Sequence, residues 1–139
     1  MNEIVIALSI WLSASHGLAD IQTAPRVRFV EQRQIAALRY GRADIADVDE
    51  VVAVYEPLTR TIVLPVAWDA GDPADLSVLV HEIVHHLQRE AGALHRCPEE
   101  GEEMAYTAQE RWLSQFGLSL EESFGIDAFS LRMRTNCLW

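Results

Sequence analysis

Two histidines four residues apart, His81 and His85, are the residues of this chain whose types and spacing point most directly to chemistry. Residues i and i+4 lie one above the other on an α-helix, so two imidazoles at this spacing can reach a single point. Neutral imidazole nitrogens bind zinc at about 2 Å, and a carboxylate can complete such a ligand set. The spacing therefore predicts a zinc site on a helix.

Glu82 directly follows the first histidine and lies about 100° further round the helix. From that position its carboxylate can reach a metal-bound water without itself binding the metal. Zinc lowers the pKa of such a water, and a neighbouring glutamate can take the proton as the water attacks a carbonyl. We therefore predict that Glu82 is the general base of a hydrolytic reaction.

The helix that carries these residues is predicted from Pro73 to Ala91, with Asp72 as its N-cap and Gly92 at its end. Its polar face contains the two histidines together with Ser77 and Gln88. Its apolar residues form a wide second face, which should pack on a sheet: Leu76, Leu79, Val80, Ile83, Val84 and Leu87. This amphipathic pattern is typical of a helix that lines a cleft.

A third ligand has to come from another element. The next predicted helix, from Pro98 to Phe116, offers four glutamates near its start: Glu99, Glu100, Glu102 and Glu103. Spacing alone does not choose among them. Glu99 is the weaker candidate, because the helix dipole favours acidic residues at a helix start in any case.

The five residues Glu102-Glu103-Met104-Ala105-Tyr106 resemble the E-x-x-A-D/Y signature of gluzincins, a group of zincin metallopeptidases. The short interval from His85 to Glu102 is similar to that of minimal single-domain gluzincins. In that signature the first glutamate binds zinc. The resemblance covers residues from about 50 to 116. It implies His81, His85 and Glu102 as zinc ligands and Glu82 as the general base, with Glu103 as the alternative third ligand.

The sequence departs from this signature at Tyr106, where many gluzincins have an aspartate that supports a histidine ligand. The Tyr106 hydroxyl is a candidate for that role or for facing substrate, and a simple buried aromatic ring is an equal alternative. His95, in the predicted loop between the two helices, is a candidate to stabilise an oxyanion, with ordinary polar surface as the alternative. His86 should point away from the metal and be exposed or support a ligand.

Upstream of the motif, Val51–Tyr55 and Thr61–Val66 are rich in β-branched and aromatic residues and predict a β-hairpin. We further predict a strand at Val27–Val30 and a helix over Glu31–Tyr40 that ends at Gly41. The remaining elements are an acidic loop over Asp44–Glu50 and a helix from Ser119 to about Met133.

Strands followed by helices predict an α+β fold, with a small sheet and its hairpin packed on the motif helix and a glutamate-bearing helix after it. The resemblance implies a zincin-like version of this fold. It also implies that the strand Thr61–Val66 forms the upper rim of the cleft, where an extended substrate would pair with it.

Composition indicates how many domains the chain forms and which partners its charge disfavours. The chain has 139 residues, half of them hydrophobic, and no linker or repeat, which predicts one domain. Its net charge is −10 and all 11 basic residues are arginines. A chain without a basic stripe lacks the charge pattern that nucleic acids require, so we expect no nucleic-acid partner.

The apolar stretch from Ile4 to Leu12 is too short to span a bilayer and is followed by small residues, Gly17 and Ala19. This pattern predicts a signal peptide over residues 1–19 and a mature domain over residues 20–139. Glu3 is atypical, because the region before a signal peptide's apolar stretch usually carries Lys or Arg. An N-terminal core helix and a retained anchor are the alternatives.

Export to an oxidising compartment gives the two cysteines a role. Cys97 and Cys137 both lie after residue 19, and an even number of cysteines in an exported chain predicts one disulfide. Two free thiols, or Cys97 as a zinc ligand, are the alternatives.

Together these features predict a secreted or periplasmic zinc metallopeptidase that cleaves a peptide or protein and has no stable membrane span after signal cleavage. The first alternative is a non-catalytic zinc-binding or interaction module that retains the zincin fold. The second is a helical interaction protein in which the histidine spacing is accidental.

Overall fold

The chain forms a small α+β structure. The computed structural model describes residues 1–40 and 53–137. Within them the elements are α1 (Asn2–His16), β1 (Arg26–Val30), α2 (Gln32–Tyr40), β2 (Val54–Glu56), β3 (Thr61–Pro65), α3 (Pro73–Glu90), α4 (Pro98–Ser114), α5 (Leu120–Phe124) and α6 (Ala128–Thr135). The predicted fold class is confirmed at this level.

The three strands form one sheet in the order β1-β3-β2, with β1 parallel and β2 antiparallel to β3. Ile62, Val63 and Leu64 are fully buried because β3 is the middle strand and helices cover both of its faces. Ile62 and Leu64 join the core formed with α3, and Val63 packs with Ile35 of α2. The β2–β3 pair confirms the predicted hairpin.

Three predictions fall wholly or partly outside the described residues. These are the start of the first hairpin strand at Val51, the acidic loop Asp44–Glu50, and the helix end at Gly41. The helix itself is confirmed as α2, which begins at Gln32.

The motif helix α3 is the centre of the core. Asp72 caps it by accepting a hydrogen bond from the Ala74 amide at 2.9 Å, and Pro73 is its first residue. Leu79, Val80, Ile83 and Val84 are fully buried. Burial of each such side chain stabilises the fold by about 1.5–3 kcal/mol. The helix is thereby fixed between the sheet, α1 and α4.

Helix α1 contributes to the same core. Val5 and Leu12 are fully buried against it, and the Trp11 ring meets the Trp112 ring of α4 edge-on with centroids 5.3 Å apart. This is the packing that the alternative of an N-terminal core helix expects, while the signal peptide over residues 1–19 stays a prediction. Among the described residues, no helix has the length and apolar character needed to cross a membrane.

The predicted helix over residues 119–133 is divided into two. Gly125 ends α5 in the left-handed region with φ of 68°, and Asp127 caps α6 by accepting a hydrogen bond from the Ser130 amide at 2.8 Å. No residue of α6 is fully buried, and the helix packs against α4 through partly buried residues.

A disulfide between Cys97 and Cys137 joins the residue before α4 to the segment just after α6, with Cα atoms 5.8 Å apart. The predicted pairing is confirmed, and Cys97 is not available as a metal ligand. The two cysteines are separated by 40 residues. Closing a loop of that length stabilises the fold by about 4 kcal/mol through the reduced entropy of the unfolded chain.

Candidate metal centre

His81 and His85 on α3 and Glu102 on α4 meet at one point. The His81 Nε2 lies 2.8 Å from one Glu102 carboxylate oxygen, and the His85 Nε2 lies 3.1 Å from the other. The two Nε2 atoms are 3.3 Å apart. One ligand atom from each of the three residues lies within 4.8 Å of the others, so the group could hold a metal ion.

Small residues on α4 allow this meeting. Gly101, Ala105 and Ala108 recur at helical spacing and are buried, so they form a face that can approach α3 closely. A Cβ atom at Gly101 would lie 3.1 Å from the His95 ring and 3.5 Å from the Gln88 amide oxygen. The small-residue face of α4 therefore allows this helix to lie close to α3 beside Glu102.

Two glutamines orient the imidazoles. The Gln109 Oε1 lies 2.9 Å from the His81 Nδ1, and the Gln88 Oε1 lies 3.0 Å from the His85 Nδ1. An amide oxygen only accepts, so each Nδ1 carries a hydrogen. Each Nε2 here faces a Glu102 carboxylate oxygen, and loss of the Nε2 hydrogen would leave its lone pair for a metal.

The orientation of both amides is itself fixed. The Gln109 amide nitrogen donates to the Ser77 hydroxyl at 3.2 Å, and that of Gln88 donates to the Gly101 carbonyl at 3.0 Å. The predicted polar face of α3 contains Gln88 and Ser77 but gives them no role, and the sequence pattern does not single out Gln109. The available signal was that Gln109 lies seven residues after Glu102, on the same face of α4.

With Zn²⁺ as the probe metal, replacing Gln109 with leucine should weaken metal binding about 10–100-fold, because the His81 ring loses the acceptor that fixes its orientation. The change is measured by competition with a chromophoric chelator at neutral pH. Gln115 lies exposed just after α4, so Gln115→Leu is the matched control and should bind zinc as the parent does. Unchanged affinity in a folded Gln109→Leu protein would show that the contact does not support the ligand.

The charges of this group favour a cation at its centre. Burial by itself would lower the pKa of His85, but the hydrogen bond to Glu102 and the negative charges of Glu82 and Glu102 raise it to about 9. Burial by itself would raise the pKa of Glu102, but the hydrogen bonds from His81 and His85 hold it well below its usual range. A divalent cation supplies the positive charge that this carboxylate attracts.

Glu82 lines the same cavity as the three residues but is not part of the group. The cavity has a volume of about 840 Å³. The Glu82 side chain is nearly buried, with 7% of its surface exposed, which places a carboxylate in a partly desolvated position beside the candidate metal site.

The other candidate residues also border the cavity. Tyr106 is half-buried, its ring lies edge-on to the His81 ring with centroids 4.6 Å apart, and its hydroxyl accepts a hydrogen bond from Arg134 at 3.2 Å. His95 is exposed at the cavity edge. Glu103 is exposed and lies outside the group that could hold a metal.

Two expectations are corrected. His86 is fully buried rather than exposed, because the sheet and the N-terminal segment cover the side of α3 away from the cavity. Its Nδ1 lies 2.8 Å from the Tyr55 hydroxyl and its Nε2 lies 2.6 Å from the Thr23 carbonyl oxygen. It therefore ties the hairpin and the segment before β1 to α3.

The predicted rim strand is also wrong. Thr61–Pro65 is the middle strand, with β1 and β2 paired on its two sides, so it has no free edge for a substrate. Strand β2 lies beside the cavity instead, through Val54 and Tyr55.

Fold and site together define a small α+β protein with a two-histidine, one-glutamate group that could hold a metal ion at a cavity. The chain belongs to the family described as a domain of unknown function, DUF6647, whose sequence profile matches residues 1–138. No curated protein and no solved structure matches the chain significantly. The geometry of the site is therefore the basis on which a function can be inferred.

Proposed function

We propose that this protein is an exported zinc metallopeptidase of the gluzincin-like type, in which His81, His85 and Glu102 hold zinc and Glu82 is the general base. The observation that carries the proposal is the meeting of the three ligand atoms beside the Glu82 carboxylate in one cavity. A chance histidine pair on a helix would not be expected to bring a glutamate from another helix to both imidazole nitrogens.

The donor set fits zinc. Catalytic zinc sites use three protein ligands drawn from histidine, acidic residues and cysteine, and keep one position open. Two Nε2 atoms and a carboxylate supply three ligands, and the cavity in front of them gives access to the fourth position. A zinc ion held there would supply Lewis acidity, which polarises a carbonyl and lowers the pKa of water.

The chain's own groups have separate tasks in peptide hydrolysis. Gln109 and Gln88 accept from the two Nδ1 atoms, so neutral imidazoles would present their Nε2 lone pairs to zinc. The nearly buried Glu82 carboxylate accepts a proton from the attacking water and returns it to the leaving amine. Tyr106 packs against the His81 ring and limits its movement.

The surrounding elements support the zincin-like interpretation. A hairpin strand borders the cavity, the motif helix forms its base, and the next helix brings the glutamate. The disulfide supports export, because such bonds persist in oxidising compartments. We propose a peptide or protein as the substrate, and no nucleic acid, since the chain is strongly acidic.

Removal and return of the metal tests this function. The purified chain should contain about one zinc by elemental analysis. Hydrolysis of a mixed peptide library, followed by mass spectrometry, should stop after chelation and return when zinc is added. A chain that takes up no zinc would overturn the proposal. Zinc uptake without any cleavage would instead support the non-catalytic zinc-binding module.

A further inference from the structure

Arg134 on α6 borders the cavity beside the candidate metal site. Its Nη1 donates to the Tyr106 hydroxyl at 3.2 Å, and its Nε donates to the Ser130 hydroxyl at 3.1 Å. The Tyr106 ring in turn contacts the His81 ring. One aromatic side chain therefore separates the guanidinium from a candidate metal ligand. Two hydrogen bonds orient this exposed guanidinium at the edge of the cavity.

No acidic partner neutralises this arginine within residues 1–40 and 53–137, where no carboxylate lies within 4.0 Å of it. Its two hydrogen-bond partners among the described residues, Tyr106 and Ser130, are neutral hydroxyls. An arginine has five N–H donors, so three remain for a ligand. A positioned guanidinium with spare donors is suited to bind a carboxylate through two parallel hydrogen bonds.

The charge around the cavity contrasts with that of the chain as a whole. The net charge is −10, yet among the described residues that border the cavity the only acidic ones are Glu82 and Glu102. Both belong to the proposed catalytic site. The second arginine at the cavity, Arg89, has no hydrogen bond to hold its side chain within the described part of the chain. This contrast favours an anionic ligand and points to Arg134 as the group that receives it.

We propose that Arg134 is a specificity-determining residue that binds a carboxylate of the substrate close to the bond that is cleaved. The inference rests on the proposed function and narrows its substrate class to peptides with a carboxylate in that position. The carboxylate belongs either to the C-terminus of the peptide or to an aspartate or glutamate side chain.

Three peptide hydroxamates with one common backbone test the proposal, because a hydroxamate binds zinc directly and its affinity is measured without turnover. The first ends in a free carboxylate, the second in an amide, and the third in an amide with a glutamate side chain. Calorimetry with the zinc-loaded protein should give at least one carboxylate compound a Kd about tenfold lower than that of the neutral amide. The preferred compound identifies the source of the carboxylate.

Arg134→Gln should remove this preference while the neutral amide binds as it does to the parent. Arg132→Gln is the matched control, because Arg132 is exposed on the same helix and does not border the cavity. Equal binding of all three compounds to the parent would overturn the proposed role of Arg134 and leave the zinc site standing. A preference that survives Arg134→Gln would have the same meaning. Failure of every hydroxamate to bind would overturn the zinc site and this proposal together.

Discussion

Replacing Glu82 with glutamine should lower kcat for peptide hydrolysis about 10²–10⁴-fold, the usual effect of losing a general base. Glutamine has nearly the same shape as glutamate but cannot accept the proton at neutral pH. Because Glu82 lies outside the three-residue group, zinc content should stay at about one per chain. The measurements are kcat on the best library peptide and zinc by elemental analysis.

Glu103→Gln is the control for this variant, since Glu103 is exposed on α4 and should affect neither quantity. Parental turnover in Glu82→Gln would assign the base to another group. A large loss of zinc from the same variant would make Glu82 part of the metal site.

His85→Ala and Glu102→Ala should each weaken zinc binding by more than the roughly 10–100-fold that the loss of a supporting hydrogen bond costs. Each removes one of the three ligand atoms, and each side chain is only partly buried, so the fold should persist. Zinc affinity by competition with a chelator measures the effect, and circular dichroism checks the fold.

Glu103→Ala separates the two glutamates that follow one another on α4. It should bind zinc as the parent does, because Glu103 lies outside the group. Parental affinity in Glu102→Ala together with a loss in Glu103→Ala would exchange their roles.

The sequence was sufficient for features that depend on neighbouring residues. Helical periodicity accounts for the shared face of His81 and His85 and for the apolar face of α3. The residue types at the start of the helix predict the cap at Asp72. The third ligand does not follow from helical periodicity, because its position depends on how α4 packs against α3. The resemblance to the gluzincin signature selected Glu102, and the geometry brings that residue to both histidines.

The predicted single helix over residues 119–133, which Gly125 divides, is a local error, whereas the other wrong predictions concern contacts between residues that are distant in the chain. His86 has the polarity of a surface residue, but Thr23 and Tyr55 satisfy both of its nitrogens in the core. The parallel pairing of β1 with β3 joins strands more than 30 residues apart, and no local pattern predicts it. Because β3 lies in the middle of the sheet, the strand that borders the cavity is β2 and not the predicted β3.

The N-terminal helix shows a different limit of sequence analysis. A signal peptide and a buried helix both require a short apolar stretch, so composition alone does not separate them. Gln109 and Arg134 were missed for a related reason, since a single polar residue on a helix has meaning only once its partner is known.

The candidate metal ligands and the proposed substrate-binding residue Arg134 are held in place by different parts of the structure. All three candidate ligands lie on α3 and α4, which the core fixes. Arg134 lies on α6, which buries no residue and is joined to α4 by the Cys97–Cys137 bond. In a reduced chain the candidate ligands would stay in place, whereas α6 would be held mainly by its contacts with α4 and by the Arg134 hydrogen bond to Tyr106. Under the proposed export, oxidation to the Cys97–Cys137 disulfide would act as a maturation step that strengthens the hold on α6 and on Arg134 after synthesis.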